Sequence, residues 1–161
     1  MPRVDSEFDL RPSILDRLID REPKVSSEPP PQRSQHLATI KDAVKRDLEW
    51  LLNSRRVVAD RPADLSHLSQ SLLTFGMPDL ISTTLNNPHD QDRLRREVEQ
   101  AIARFDTRLS QVQVTLVESR DLDRTLRFRI DAILQVEPSP EPVTFDSVFQ
   151  ISRRAFVVEE E

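Results

Sequence analysis

The chain has 161 residues, a length that fits one domain of roughly 100 to 200 residues, and its 37% of apolar residues can fill one core. Its 23 basic and 28 acidic residues leave a formal net charge of -5, so no positive field recruits nucleic acid or anionic lipid. With no cysteine and one glycine, Gly76, the chain lacks thiol nucleophiles and cysteine-held metals, and it lacks the glycine-rich Walker loop, dinucleotide fingerprint and nucleophile elbow.

Pro12-Ser13 opens a short amphipathic segment in which Ile14, Leu15, Leu18 and Ile19 share a face. Ser13 and Asp16 are spaced as an N-cap and its N3 carboxylate, so a helix of about two turns is expected. Residues 22–32 hold four prolines and a lone apolar Val25, which reads as a linker. Residues 1–33 are therefore an arm and tether, and residues 34–161 a single domain. An apolar arm of this kind docks on its own domain or on a partner, and both remain open. The charged start of the chain is unlike a signal peptide, and no apolar run is long enough for a membrane span. The expectation is a cytoplasmic protein without membrane insertion, or one exported by another route.

From Ser34, Leu37, Ile40, Val44, Leu48, Leu51 and Leu52 recur at helical spacing, which predicts the longest helix, ending near Arg55. Asp64 can cap a shorter helix carrying Leu65, Leu68 and Leu72, with Gly76 as its left-handed C-cap ahead of Met77-Pro78. A helical turn over Asp79 to Leu85 is broken by Asn86-Asn87-Pro88, and a last helix over Asp90 to Phe105 carries Leu94, Val98, Ile102 and Phe105. The period then changes to two. Val112, Val114 and Leu116 form one alternating set, residues 126 to 136 a second, and Val143 to Ile151 a third, with Ala155 to Val158 as a short extra strand. The fold class is α+β, with N-terminal helices packed on a C-terminal antiparallel meander of three to four strands. The third strand closes the meander and offers Val143, Phe145, Val148 and Phe149 as an edge for strand addition, unless Ala155 to Val158 covers it.

Catalytic chemistry finds little support. His36, His67 and His89 place no two imidazoles on one helical face, and pairing His67 with Asp64 or His89 with Asp92 supplies two ligands where zinc needs three. No metal or cofactor is expected. No serine has the glycines of an elbow. Glu49 beside Trp50-Leu51-Leu52 and Asp79 beside Met77-Pro78-Leu80 are the carboxylates in apolar company. The simpler readings, a solvated helix face for Glu49 and a helix N-cap for Asp79, are favoured over a catalytic one. Trp50 is either the edge of the core or the centre of an interface.

Six segments, read in order, carry a resemblance: Ser13-Ile14-Leu15-Asp16-Arg17-Leu18, Leu51-Leu52-Asn53-Ser54-Arg55-Arg56, Ser71 through Phe75-Gly76-Met77-Pro78-Asp79-Leu80, Phe105-Asp106-Thr107-Arg108-Leu109, Leu126-Arg127-Phe128-Arg129-Ile130 and Glu141 through Ser147. This set, spanning nearly the whole chain, resembles the TssE family, baseplate wedge components of the type VI secretion system related to phage baseplate proteins once labelled lysozyme-like. The resemblance implies a structural protein, not an enzyme, that joins the wedge core to the contractile sheath and helps initiate sheath assembly. It implies TssF- and TssG-like wedge proteins, TssB/TssC-like sheath subunits and a TssK-like adaptor as partners. The setting it implies is a cytoplasmic baseplate docked at the inner-membrane secretion complex. Where the family carries Glu-Pro-Arg, this chain has Asp106, Thr107 and Arg108, keeping charge and arginine but losing the proline. With Phe75, Gly76, Pro78 and Asp79 these are the partner-binding candidates. Arg108 sits at a helix-to-strand junction, where it forks a partner carboxylate or bonds Asp106 and helix-end carbonyls within the chain. The rival readings are a phage or phage-tail-like baseplate wedge protein and, from a different class, a peptidoglycan hydrolase.

Overall fold

The computed structural model describes residues 13–19, 33–57, 71–78, 87–117, 125–137, 139–153 and 155–160. Among them, helices come first and strands last: α1 (Ile14–Leu18), α2 (Arg33–Asn53), α3 (Pro88–Phe105), then β1 (Leu109–Val117), β2 (Thr125–Leu134), β3 (Glu141–Gln150) and β4 (Ala155–Glu160). The architecture is α+β, as the change of period predicts.

Each helix start follows local chemistry. The Ser13 hydroxyl accepts from the Asp16 N–H at 3.2 Å, and α1 stops after five residues, shorter than the two turns expected. At α3 the sequence reading was two residues late. Asn87 is not a break but the N-cap, its side chain accepting from the His89 N–H at 3.0 Å, and Pro88 takes the first helical position, where no N–H is needed. The expected helix from Asp64 and the turn over Asp79 to Leu85 lie outside the described residues, except that Leu72–Thr74 form one 3-10 turn.

The four strands form an antiparallel sheet in the order β1-β2-β3-β4. β1 carries an extra residue: Ser110 pairs with Ile133 and Gln113 with Asp131, with Gln111 at φ 52°. This bulge shifts the alternation by one, so that Leu109 and Val114, of opposite parity, are both buried. α3 packs against β1 and α2 against β4, and the two helices touch each other. The core between helices and sheet holds Val44, Leu48, Leu94, Val98 and Ile102 from the helices and Phe128, Ile130, Phe145, Phe149 and Phe156 from the strands. Phe149 and Phe156 face each other across β3 and β4 with ring centroids 4.7 Å apart.

The meander corrects one expectation. β3 is not an edge over its second half, because β4 pairs with it from Phe145↔Glu160 to Gln150↔Ala155. Val143, Phe145 and Phe149 point into the core, and Val148 is paired with Val157, so none of the four offers a free docking edge over the paired stretch. The cause is the turn over residues 151–153, after which Phe156 and Val158 complete the core: the Arg153 N–H donates to the Gln150 carbonyl at 3.1 Å. The outer strands are β1 and β4.

Candidate functional site

The site begins at Gly76. Its φ is +97°, and a Cβ placed there would meet the Ser54 carbonyl oxygen at 2.3 Å. Gly76 follows the residue capping the 3-10 turn, so the expected left-handed stop is present. The close approach is what the sequence did not reveal. It lets residues just past α2 clasp the segment: the Met77 N–H donates to the Ser54 carbonyl and the Arg56 N–H to the Met77 carbonyl, each at 2.8 Å. Met77 is thereby buried, and Phe75 is held over the end of α2.

Phe75 is the middle of an aromatic row. Its ring meets Trp50 edge-on at 6.0 Å and Phe105 edge-on at 5.2 Å, spacings at which such pairs attract. Trp50 is 68% exposed although it is the only tryptophan. The row floors a groove of about 320 Å³ lined by Leu15, Asp47, Trp50, Leu51, Phe75, Phe105, Asp106, Thr107 and Arg108.

One wall of the groove is a chain of alternating charges. Arg108 donates to Asp106 through Nε at 2.9 Å and Nη2 at 2.7 Å, while its backbone N–H donates to Asp106 Oδ1 at 3.1 Å. Arg108 Nη2 also lies 3.0 Å from Asp47 on α2. Asp47 in turn accepts from Arg46, whose Nη1 reaches Asp16 on α1 at 2.9 Å. Five charged groups thus tie the α3–β1 junction to α2 and α1. Side-chain bonds to Asp106 are the chief cause that raises the Arg108 pKa, against desolvation by burial. Burial pushes the Asp16 carboxyl up, but the Ser13 hydroxyl and the Arg46 guanidinium outweigh it and leave the group below its ordinary value.

Of the sequence candidates, the fold brings Phe75, Asp106, Thr107 and Arg108 to one groove, with Gly76 and Pro78 as its support. Asp79 lies outside the described residues. Arg108 takes the internal alternative: its fork is spent on Asp106 and Asp47, so the picture of a fork held free for a partner is corrected. Thr107, where the family's proline would stand, is exposed in the turn. The sequence reading overlooked Asp47. Its signal was its position, three residues after Val44 and four before Leu51, which sets a half-exposed carboxylate at the margin of the buried stripe, where a cation beside it is favoured. Of the arm, α1 contacts the domain through Asp16 and Leu15, yet Ile14 and Leu18 stay 78% and 76% exposed.

Among the described residues no group of three metal-ligating side chains occurs, and no helix is long and apolar enough to cross a membrane. Fold and groove together define a small α+β domain with a partly exposed aromatic row along one groove. The model of the family described as "Baseplate wedge protein gp25" matches residues 38–139, which span most of α2, all of α3, β1 and β2, and every groove residue but Leu15. The chain belongs to the baseplate wedge protein gp25 family. A chain of a solved structure entitled "The baseplate complex from the type VI secretion system" is similar at 18% identity over 69% of this chain and 94% of that one, with a TM-score of 0.47. No curated protein sequence matches significantly.

Proposed function

We propose that this protein is a structural component of a contractile injection baseplate, of the type VI secretion kind, in which it makes contacts and turns nothing over. Membership of the wedge family supports the baseplate setting, and the segments resembling TssE support the secretion system over a phage tail. The carrying observation is the groove: an exposed Trp50 edge-on to Phe75, which is itself edge-on to Phe105, beside a pre-formed charge network. Tryptophan is enriched among the few residues that carry most of an interface's binding energy. The groove takes the helical core formed by TssF- and TssG-like wedge proteins, with residues 1–33 as the arm beside it and residues 34–161 as the domain. The sheet takes a strand from TssB/TssC-like sheath subunits, and the outer strand available for this is β4 rather than β3. A TssK-like adaptor completes the assembly at the inner-membrane complex. Both carboxylates lining the groove are bonded to Arg108, so the groove does not offer the paired acid and base of a peptidoglycan hydrolase.

The test is capture of the co-expressed wedge proteins by full-length chain carrying Trp50→Ala. A central tryptophan contributes about 2 kcal/mol or more, so affinity falls roughly thirtyfold while thermal stability changes little, since most of the side chain is already in water. Undiminished capture by a folded Trp50→Ala protein would remove the groove from the interface.

A further inference from the structure

An amphipathic helix ordinarily buries its apolar side, yet α1 meets the domain the other way round. Its Asp16 side chain is 6% exposed, whereas Ile14, Leu15 and Leu18 are exposed and none of them belongs to the core or packs against it. The tie between α1 and α2 is polar: Asp16 Oδ1 lies 2.9 Å from Arg46 Nη1, while Oδ2 accepts from the Ser13 hydroxyl within the helix's own cap. A helix of five residues does not hold itself together in water, so the cap and the Arg46 bond keep it formed.

The charge network has a seam at that bond. At its inner end Arg108 holds the buried Asp106 by a fork and reaches Asp47 Oδ2. At its outer end the partly exposed Arg46 grips Asp47 Oδ1 through Nε and Nη2 and spends only Nη1 on Asp16. Breaking the Asp16 bond leaves Arg46 paired with Asp47 and carries the freed carboxylate into water with its helix. No charge is stranded inside the protein, whereas breaking the Arg108 fork would strand Asp106.

We propose that α1 is a strap that swings on this seam, latched closed by Asp16 on Arg46, and that its position sets how open the aromatic groove is. Closed, Leu15 forms part of the groove wall together with Trp50 and Phe75. Open, that stretch of wall is cleared, and the core is undisturbed because α1 gives it no residue. The latch stands whatever fills the groove; the gating of a partner rests on the reading of the groove as the wedge contact.

The latch is tested in the full chain without a partner. The sequence has no cysteine, so Leu18→Cys carries a single nitroxide label on an exposed position of α1. In the closed strap the label broadens the backbone amide signals of Arg46 to Trp50. Asp16→Asn, which removes the charge and keeps the shape, loses most of that broadening. Arg46→Gln loses it too, and serves if asparagine still bonds the guanidinium. Leu15→Ala keeps it. Broadening that survives both Asp16→Asn and Arg46→Gln, or is lost as fully in Leu15→Ala, would overturn the latch. Gating is read by capture of co-expressed TssF- and TssG-like wedge proteins: a strap open one-tenth of the time weakens apparent affinity about tenfold, and Asp16→Asn recovers up to that factor. Unchanged or weaker capture by Asp16→Asn, beside the loss expected of Trp50→Ala, would overturn the gate. Undiminished capture by Trp50→Ala would instead bring down the groove reading, with the label still deciding the latch.

Discussion

Replacing Gly76 by alanine tests whether the groove is built on backbone geometry. The new Cβ would lie 2.3 Å from the Ser54 carbonyl oxygen and 2.7 Å from its carbon, both backbone atoms that no rotamer change can move aside. Holding an L side chain at φ +97° costs about 1–2 kcal/mol. Relief of the clash stretches the Met77-to-Ser54 and Arg56-to-Met77 bonds, now 2.8 Å each, at about 0.5–1.5 kcal/mol apiece. The sum is about 3 kcal/mol, and in a chain of this size it lowers Tm by roughly 6–12 °C. Calorimetric or circular-dichroism melting measures that loss, and fluorescence of the single tryptophan, Trp50, reports whether Phe75 has left its ring. Ser54→Ala is the control, because it removes the hydroxyl bonded to Trp50 while keeping the carbonyl that the new methyl would strike. A Gly76→Ala protein that melts within about 2 °C of wild type, with unchanged Trp50 emission, would refute the clasp as the support of the groove.

Arg108→Ala leaves Asp106, 7% exposed, without its forked partner; with Arg108 itself 32% exposed, the cost is about 1–3 kcal/mol by urea unfolding, and Arg108→Lys recovers only part of it because an ammonium cannot fork. The Asp16 carboxyl is lowered from 3.8 in the folded state, so its contribution to docking of α1 is fully present above that value and is lost as pH falls below it. Backbone NMR of residues 14 to 18 shows release of the arm in that acid window, and Asp16→Asn releases it at neutral pH. Ser147 is fully buried with a hydroxyl that has no bonding partner, so Ser147→Ala stabilises by about 1 kcal/mol and raises Tm by a few degrees on melting.

Helices and strands were legible in the sequence wherever one face of an element meets one core. The spacing of Leu37 through Leu52, of Leu94 through Phe105 and of the alternating residues from Val112 onward is a local consequence of burying one side of a helix or strand. Caps are legible for the same reason at Ser13, and Asn87-Pro88 carries a cap signal that the sequence alone does not distinguish from a break. The bulge at Gln111 was invisible, because two residues on one strand opposing one on its neighbour is a fact about the pair and not about either strand.

The amino-acid sequence by itself determined the α+β order, the absence of cysteine and glycine-loop chemistry, and a set of segments by which the family could be met. Only the tertiary structure decided that β4 covers β3, that Arg108 is spent on Asp106 and Asp47, and that Asn53 and the Arg95–Glu99 pair sit against the outer strands. The physical reason is range. Periodicity and capping act within a few residues, whereas Asn53 reaches Phe156 across 103 positions of chain, a pairing set by where the packed core brings two elements together.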